Sequence, residues 1–374
     1  MQQAKKTIAS QISSHLPPEI IGNIFYHLRH DAYTLYQTST CSRMFRDEAE
    51  RVLYTSIVIS HSDRLPELLF ALTATPNNQG LRRWLTVKHL LLKPKFRGVT
   101  LRNGSDHETD IRAVLQLLDN LVELGLFTSP GVGPYPFQLQ SLSSDDATVA
   151  YHLFDLLGSQ PSIRSLAVEL SWMTIPEMSN PPTPFMLPNL TVFSGILAHS
   201  LHYVVGRPVL SLSLQTFSLS TSTDVTRLKW LISKLPTPIT SLTIMEINFS
   251  EHIFVELGES IPRLEYLGLL RMDQVTLDHP ESWSKALSPL KNLTSISCRV
   301  PTMRERFNAL RVAHIRIMAP VASQACHVHC PSLQQITISI PPLVENNLDP
   351  MVEVDCHTRS GVWTVTRVGQ LFAW

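Results

Sequence analysis

Apolar residues near the amino end recur with a helical period. Leu16, Ile20, Ile24 and Leu28 repeat every four positions, and Ile21 and Phe25 form a second row beside them. This spacing predicts an amphipathic helix with an unusually broad apolar stripe. Pro17 and Pro18 suit its first turn, where backbone N–H groups have no intrahelical partner, and Glu19 lies beside the positive end of the helix dipole. A second helical period runs through Leu35, Cys41, Met44, Phe45, Ala49, Val52 and Leu53, interrupted by the polar run from Gln37 to Thr40. About forty residues are too few to enclose so wide a stripe in a core of their own. The surplus predicts a partner.

From about residue 55 the pattern changes to a repeat. A strand signal, apolar-x-x-apolar-x-apolar, returns as Leu121-Leu124-Leu126, Ile163-Leu166-Val168, Leu214-Phe217-Leu219, Ile239-Leu242-Ile244 and Leu264-Leu267-Leu269. It continues as Leu293-Ile296-Cys298, Val312-Ile315-Ile317 and Leu333-Ile336-Ile338, with earlier copies at Tyr54-Ile57-Ile59 and Val87-Leu90-Leu92 and a weaker match over Leu190 to Ile196. Helical patterns lie between them: Asp110–Leu118, Asp224–Leu235, the segment after Ser250, and shorter ones over Glu281–Leu287 and Thr302–Leu310. Phe193, Phe217, Leu242, Leu267 and Ile296 are spaced by 24, 25, 25 and 29 residues, whereas Ile57, Leu90, Leu124 and Leu166 are spaced by 33, 34 and 42.

Two proline-rich stretches, Pro130–Leu142 and Pro176–Pro188, interrupt the period and read as insertions. They are either target-contact loops or tolerated surface variation. Gly361–Val368 alternates like a strand, and the simplest expectation is a final strand that covers the open end of the array.

Composition narrows the partners. Thirty-one basic and 31 acidic residues cancel in a chain of 374, so no global field draws it to nucleic acid or an anionic membrane. No apolar run is long enough to span a bilayer, and the first fifteen residues lack the apolar core of a secretory signal. Five scattered cysteines suit a reducing compartment, so cytoplasm or nucleus is expected.

The stretch LPPEIIGNIFYHL followed by TSTCSRMFRDEAERVLY resembles an F-box, the module that docks substrate receptors onto cullin-RING ubiquitin ligases. The later helix-turn-strand units resemble a leucine-rich repeat, and the whole is similar to F-box proteins with degenerate repeats from mushroom-forming fungi. Phe45 stands where many F-boxes carry Trp, and Met272 occupies the place of the usual repeat asparagine. The resemblance implies an α/β chain. A small all-helical F-box, residues 12–56, would precede an irregular solenoid, residues 57–374, with parallel strands on a concave face and helices on a convex one.

It also implies a function. Leu16, Pro17, Ile20, Ile24 and Leu28 would contact a Skp-type adaptor, and the x positions of the strands would face a protein target. Those positions include Glu169, Ser218, Thr243, Met245, Gly268, Leu270, Arg299 and Arg316. The expected role is a non-catalytic substrate receptor. The alternatives are an F-box scaffold that delivers nothing for ubiquitination, or a hydrolase or transferase hidden among the repeats.

Local chemistry adds three candidates. Between Leu81 and Ser105 the chain holds Arg82, Arg83, Lys88, Lys93, Lys95, Arg97 and Arg102 without an acidic residue. This is either a grip for an acidic or phosphorylated segment or a solvated face. Cys326-His327-Val328-His329-Cys330 carries zinc-ligand chemistry in a spacing that fits no usual zinc signature, so no metal and no cofactor is expected. Gly131-x-Gly133 lacks a third glycine and reads as a turn, and no nucleophile elbow or phosphate-binding lysine motif occurs, so no enzyme is expected.

Overall fold

The computed structural model describes residues 17–29, 31–61, 64–74, 85–92, 104–126, 133–144, 156–168, 186–196, 203–219, 222–247, 251–271, 281, 284–285, 287–299, 308–340, 351–359 and 362–371. They fall into two compact units divided near residue 180.

The first unit opens with three helices: α1 (Pro18–His27), α2 (Ala32–Ser39) and α3 (Arg43–Thr55). Pro18 and Glu19 occupy the first turn of α1, as the sequence dictates. Asp31 caps α2 by accepting the Thr34 N–H at 3.0 Å, and Ser42 caps α3 by accepting the Phe45 N–H at 3.2 Å. Ile21, Phe25, Leu35, Ala49 and Val52 form the core of this helical cluster, with Leu28, Met44, Phe45 and Leu53 packed against it.

Helix α3 runs directly into β1 (Ser56–Ile59), so Tyr54 of the first expected strand copy ends a helix instead. Then follow α4 (Leu65–Thr73), β2 (His89–Leu92), α5 (Gly104–Leu117), β3 (Glu123–Leu126), β4 (Ser141–Ser144) and β5 (Ser165–Val168). The five strands are parallel, and Ile57, Leu90, Leu124, Leu142 and Leu166 stand in register. Strand β4 begins within the stretch read as an insertion, at Ser141. Tyr135, Phe137 and Leu139 alternate into the interior ahead of it, so this stretch leads into a further strand of the array. This explains the long step of 42, which divides at Leu142.

The second unit holds β6 (Val192–Ile196), β7 (Ser211–Leu219), α6 (Ser222–Ser233), β8 (Ser241–Ile247), α7 (Glu251–Ser260), β9 (Tyr266–Arg271) and β10 (Ser295–Arg299). Helix α8 (Asn308–His329) and strands β11 (Gln335–Ile340), β12 (Met351–Arg359) and β13 (Val362–Leu371) complete it. Strands β6 to β11 are parallel, and Phe193, Leu212, Leu242, Leu267, Ile296 and Ile336 share one register. The weak match over Leu190–Ile196 is therefore a full member.

Two expectations are corrected here. Two overlapping frames occur at β7, and the array uses Val209-Leu212-Leu214, whose residues are buried, instead of Leu214-Phe217-Leu219. The Val312-Ile315-Ile317 strand does not form. Ile315, Ala319, Ala322 and Cys326 are the buried positions there, spaced by four, three and four, so burial follows a helical period. The array closes with β12 and β13, both antiparallel, so the expected final strand arrives as half of a hairpin.

A repeated hydrogen-bond device joins successive units of each array. The carbonyls of Lys88, Val122 and Gln140, and of Thr191, Leu210, Thr240, Glu265 and Thr294, each accept two consecutive N–H groups from the next repeat. Side chains reinforce the same turn. Asn120 donates to Leu85 O at 2.9 Å, Ser162 to Leu139 O at 2.7 Å, Thr237 to Val209 O at 3.1 Å, Asn292 to Pro262 O at 2.6 Å and Ser332 to Leu293 O at 2.8 Å. The stabilising polar ladder thus stands ahead of the strand, at β3 to β5 and at β7 to β11. The sequence reading sought it after the last leucine.

Candidate functional site: an exposed helix edge and a hydroxyl-lined sheet face

The broad stripe of α1 divides into two rows. Ile21 and Phe25 are 2% and 3% exposed, and Phe25 packs edge-on against Phe45 with ring centroids 5.6 Å apart. Ile20 and Ile24, one position earlier in each turn, are 45% and 47% exposed. The helix therefore has two apolar faces: an inner one packed in the core and an outer one left open by the described residues. Pro17 is exposed at the same end. Leu28 is half-buried against the helical core, so it belongs largely to the inner row and not to the outer one where it was expected. Leu16 lies outside the described residues.

The next helix adds large exposed rings that the apolar period did not single out. Leu35 is the buried anchor of α2, while Tyr33 and Tyr36 are 73% and 62% exposed. The hydroxyls of α2 turn back on their own helix: Thr38 donates to Thr34 O and Leu35 O at 2.9 Å, and Ser39 to Tyr36 O at 2.6 Å. On α1, the Arg29 guanidinium stacks 4.2 Å over the Tyr26 ring.

The second surface is the face of the parallel strands opposite the leucines. In the first unit the register aligns Ser56, His89, Glu123, Ser141 and Ser165 in one row, and Val58, Leu91, Gly125, Ser143 and Ala167 in the next. His89 Nδ1 and Glu123 Oε2 lie 2.8 Å apart across β2 and β3. The sequence reading missed this pair, although its two members hold equivalent places in successive repeats.

In the second unit the face is rich in hydroxyls. Ser211 and Ser241 are bonded at 3.2 Å, and Gln335 donates to Thr337, which donates to Asp355 at 2.7 Å. Thr243 lies half-buried on this face and Arg299 is exposed at its edge. Gly268 is buried, not open as expected: a Cβ there would stand 2.7 Å from Thr243 Oγ1 and 2.9 Å from the Tyr266 ring. Arg316 sits on α8 and not on a strand. Ser218, Met245 and Leu270 lie in β7, β8 and β9, with side chains outside the described residues. Glu169 is outside them entirely.

The remaining candidates resolve into structure where they are described. Of the basic segment, only Leu85 to Leu92 and the start of α5 fall within the described residues, and Lys88 is the one of its basic residues among them. The cysteine–histidine cluster is the end of α8, where Cys326 faces the core and Cys330 donates to Leu290 O at 3.4 Å. Cys330 thereby joins the turn that precedes β11. Burial pushes the thiol of Cys298 up to about 12 and that of Cys356 to about 11, and raises Cys326 and Cys330 as well. Thiols held protonated in a core are poor nucleophiles and poor metal ligands. Among the described residues, no group of three or more His, Cys, Asp or Glu side chains is placed to hold a metal ion. No helix among them is long and apolar enough to cross a membrane.

No protein-family model matches the chain, and no curated protein matches it. Among solved structures, it is similar to the leucine-rich repeat-containing protein LegL7 from Legionella pneumophila. The identity is 17% over 76% of this chain and 83% of that one, with a TM-score of 0.45.

Proposed function

We propose that the chain is a non-catalytic substrate receptor of an SCF-type cullin-RING ubiquitin ligase. The helical cluster acts as an F-box that binds a Skp-type adaptor, and the strand–helix array acts as an irregular leucine-rich-repeat solenoid that binds a protein target. One observation carries the reading: α1 buries Ile21 and Phe25 in its own core while Ile20 and Ile24 stand half-exposed beside them. Half-exposed branched aliphatic residues at i and i+4 form a ready contact for a second polypeptide. The array supports the second half of the reading, because stacked repeats present a long face without requiring a pocket. Such a receptor works in cytoplasm or nucleus and uses neither cofactor nor metal.

The test is co-purification of the full chain with a Skp-type adaptor. The wild type should retain the adaptor, and the Ile20→Asp, Ile24→Asp pair should lose it with its melting temperature unchanged. A wild-type chain that does not bind the adaptor ends the proposal. Target turnover that persists in the double variant would remove the receptor role and leave a scaffold.

A further inference from the structure

We propose that the outer face of α6 and α7 binds a second copy of this chain through a two-fold contact centred on Trp230 and Val255. The contact lies wholly in the second unit and does not depend on the adaptor reading.

Helix geometry brings the two residues together. Helix α6 connects β7 to β8 and α7 connects β8 to β9, and the three strands are parallel, so the two helices run in the same direction. Lys229 Nζ lies 2.8 Å from Glu256 Oε2, which fixes the sides on which they face each other. Each residue turns about 100° around a helix. One step forward from Lys229 on α6 and one step back from Glu256 on α7 therefore turn to the same side. Those steps are Trp230 and Val255, 50% and 36% exposed. The opposite steps, Leu228 and Leu257, are buried and mark the core side. Trp230 and Val255 thus flank the ion pair on the outer surface.

Charge decides the occupant. Arg227 and Lys234 are exposed, and their helical positions place them on the edge of α6 away from α7. Lys234 Nζ stands 5.7 Å from the centre of the Trp230 ring. Glu256 and the exposed Glu259 lie on the α7 side of that ring. Neither Arg227 nor Glu259 has an ion-pair partner among the described residues. The patch is basic along one side, acidic along the other and aromatic between. An acidic partner would meet repulsion from the glutamates, and a basic one from Arg227 and Lys234. A second copy turned about a two-fold axis presents the reverse order, which is what an isologous contact requires. With the axis through the Lys229–Glu256 pair, each charge of that pair lies over its opposite in the second copy. Trp230 then comes level with Val255 of the second copy, and Arg227 comes within one residue of the level of its Glu259.

Area sets the strength. The 12 residues of α6 span about 18 Å, and packed helices lie about 8–10 Å apart. Two such outer faces offer on the order of 500–600 Å² per copy, the size of a transient interface. Tryptophan is enriched among the residues that dominate binding energy, so a central ring holds a reversible dimer despite the modest area.

Sedimentation velocity of the full chain between about 1 and 100 μM tests the proposal. The wild type should pass from monomer to dimer across that range, and Trp230→Ser should stay monomeric. Arg227→Glu and Glu259→Arg should each weaken the dimer at least about tenfold. The chain carrying both changes should recover it, because each copy then supplies both halves of the exchanged pair. Phe70→Ser, which removes an exposed ring from α4 in the first unit, should dimerise like the wild type. Melting temperatures of the dilute variants should agree, because these side chains stand outside the core. A wild type that is monomeric at every concentration overturns the proposal and leaves this face to another protein or to water. A dimer that survives both Trp230→Ser and Arg227→Glu overturns it as well, since the copies then meet elsewhere. Weak single variants with no recovery in the exchanged chain refute the two-fold pairing.

Discussion

Ser144 occupies a position that the repeat reserves for a large apolar residue. It stands in register between Leu126 and Val168, and it is 1% exposed. Its hydroxyl has no hydrogen-bond partner among the described residues. An unpaired buried hydroxyl costs roughly 1–3 kcal/mol relative to one that is bonded or in water. Valine replaces it with methyl groups that suit a parallel strand and add apolar burial worth about 0.8 kcal/mol per carbon. Against this stands crowding, since added methyl groups in a packed interior cost about 1–3 kcal/mol when neighbours cannot move. Here the neighbours in the row are larger than serine on both sides, so the layer already accommodates that size. The expected outcome for Ser144→Val is a stabilisation of about 1–2 kcal/mol, or roughly 2–8 °C in the transition of the first unit. Ser144→Ala, which removes the hydroxyl without adding bulk, should be neutral to mildly stabilising. Differential scanning calorimetry with intrinsic fluorescence melts reads both. Destabilisation of 1 kcal/mol or more in both variants would mean that the hydroxyl is satisfied in solution, and would refute the assignment of this position as a leucine site.

Further outcomes follow from the packing. Gln160 is fully buried, accepting the Leu139 N–H at 2.7 Å and donating to Phe137 O at 3.1 Å, so Gln160→Leu strands two backbone groups and should cost about 2–4 kcal/mol in urea melts. Gly258→Ala should destabilise by about 1–3 kcal/mol despite the better helix former, because its Cβ would stand 2.8 Å from Pro289 O and 2.9 Å from Pro289 Cβ; a stabilised variant contradicts the contact. Titration with a thiol reagent at pH 8 should find Cys41 reactive in the folded chain and the other four thiols only after denaturant. Those four also set an alkaline limit. Their folded-state pKa values lie above the unfolded value of about 8.5–9, so above that pH the unfolded chain has released protons that the folded one still holds. Stability of the second unit should therefore fall from about pH 9 towards 11–12, and replacement of Cys298 and Cys356 by Ala or Val should flatten that decline.

The sequence made the strand–helix alternation legible because each repeat has to bury the same apolar positions, and a period survives even when its length wanders from 18 to 40 residues. It was least legible where two frames overlap. At β7 the run VLSLSLQTFSL carries the pattern twice, five residues apart, and only pairing with Phe193 and Leu242 selects the first. At α8 a cluster of Val and Ile imitated a strand, while the burial of Ala319, Ala322 and Cys326 shows the helical period beneath it. Proline misled at Pro130–Leu142, since its described part leads into β4 with alternating burial and is held by Gln160, which bonds Leu139 N–H and Phe137 O.

The candidate sites were legible in part. The apolar excess of α1 was visible, but which row stays outside depends on α2 and α3 packing against it. Gly268 holds an x position of its strand and was expected to face a target, yet the Tyr266 ring and the Thr243 hydroxyl cover it. Tyr33 and Tyr36 lay outside every apolar period, because an outward-facing aromatic pair has no reason to keep one.

Hydrogen–deuterium exchange on the full chain, with and without a Skp-type adaptor, tests the central claim most directly. Adaptor should slow exchange across α1, where Ile20 and Ile24 stand half-exposed, and leave the repeat strands unchanged. Protection confined to the strand array, or no protection anywhere at saturating adaptor, would contradict a recruiting role for the helical cluster.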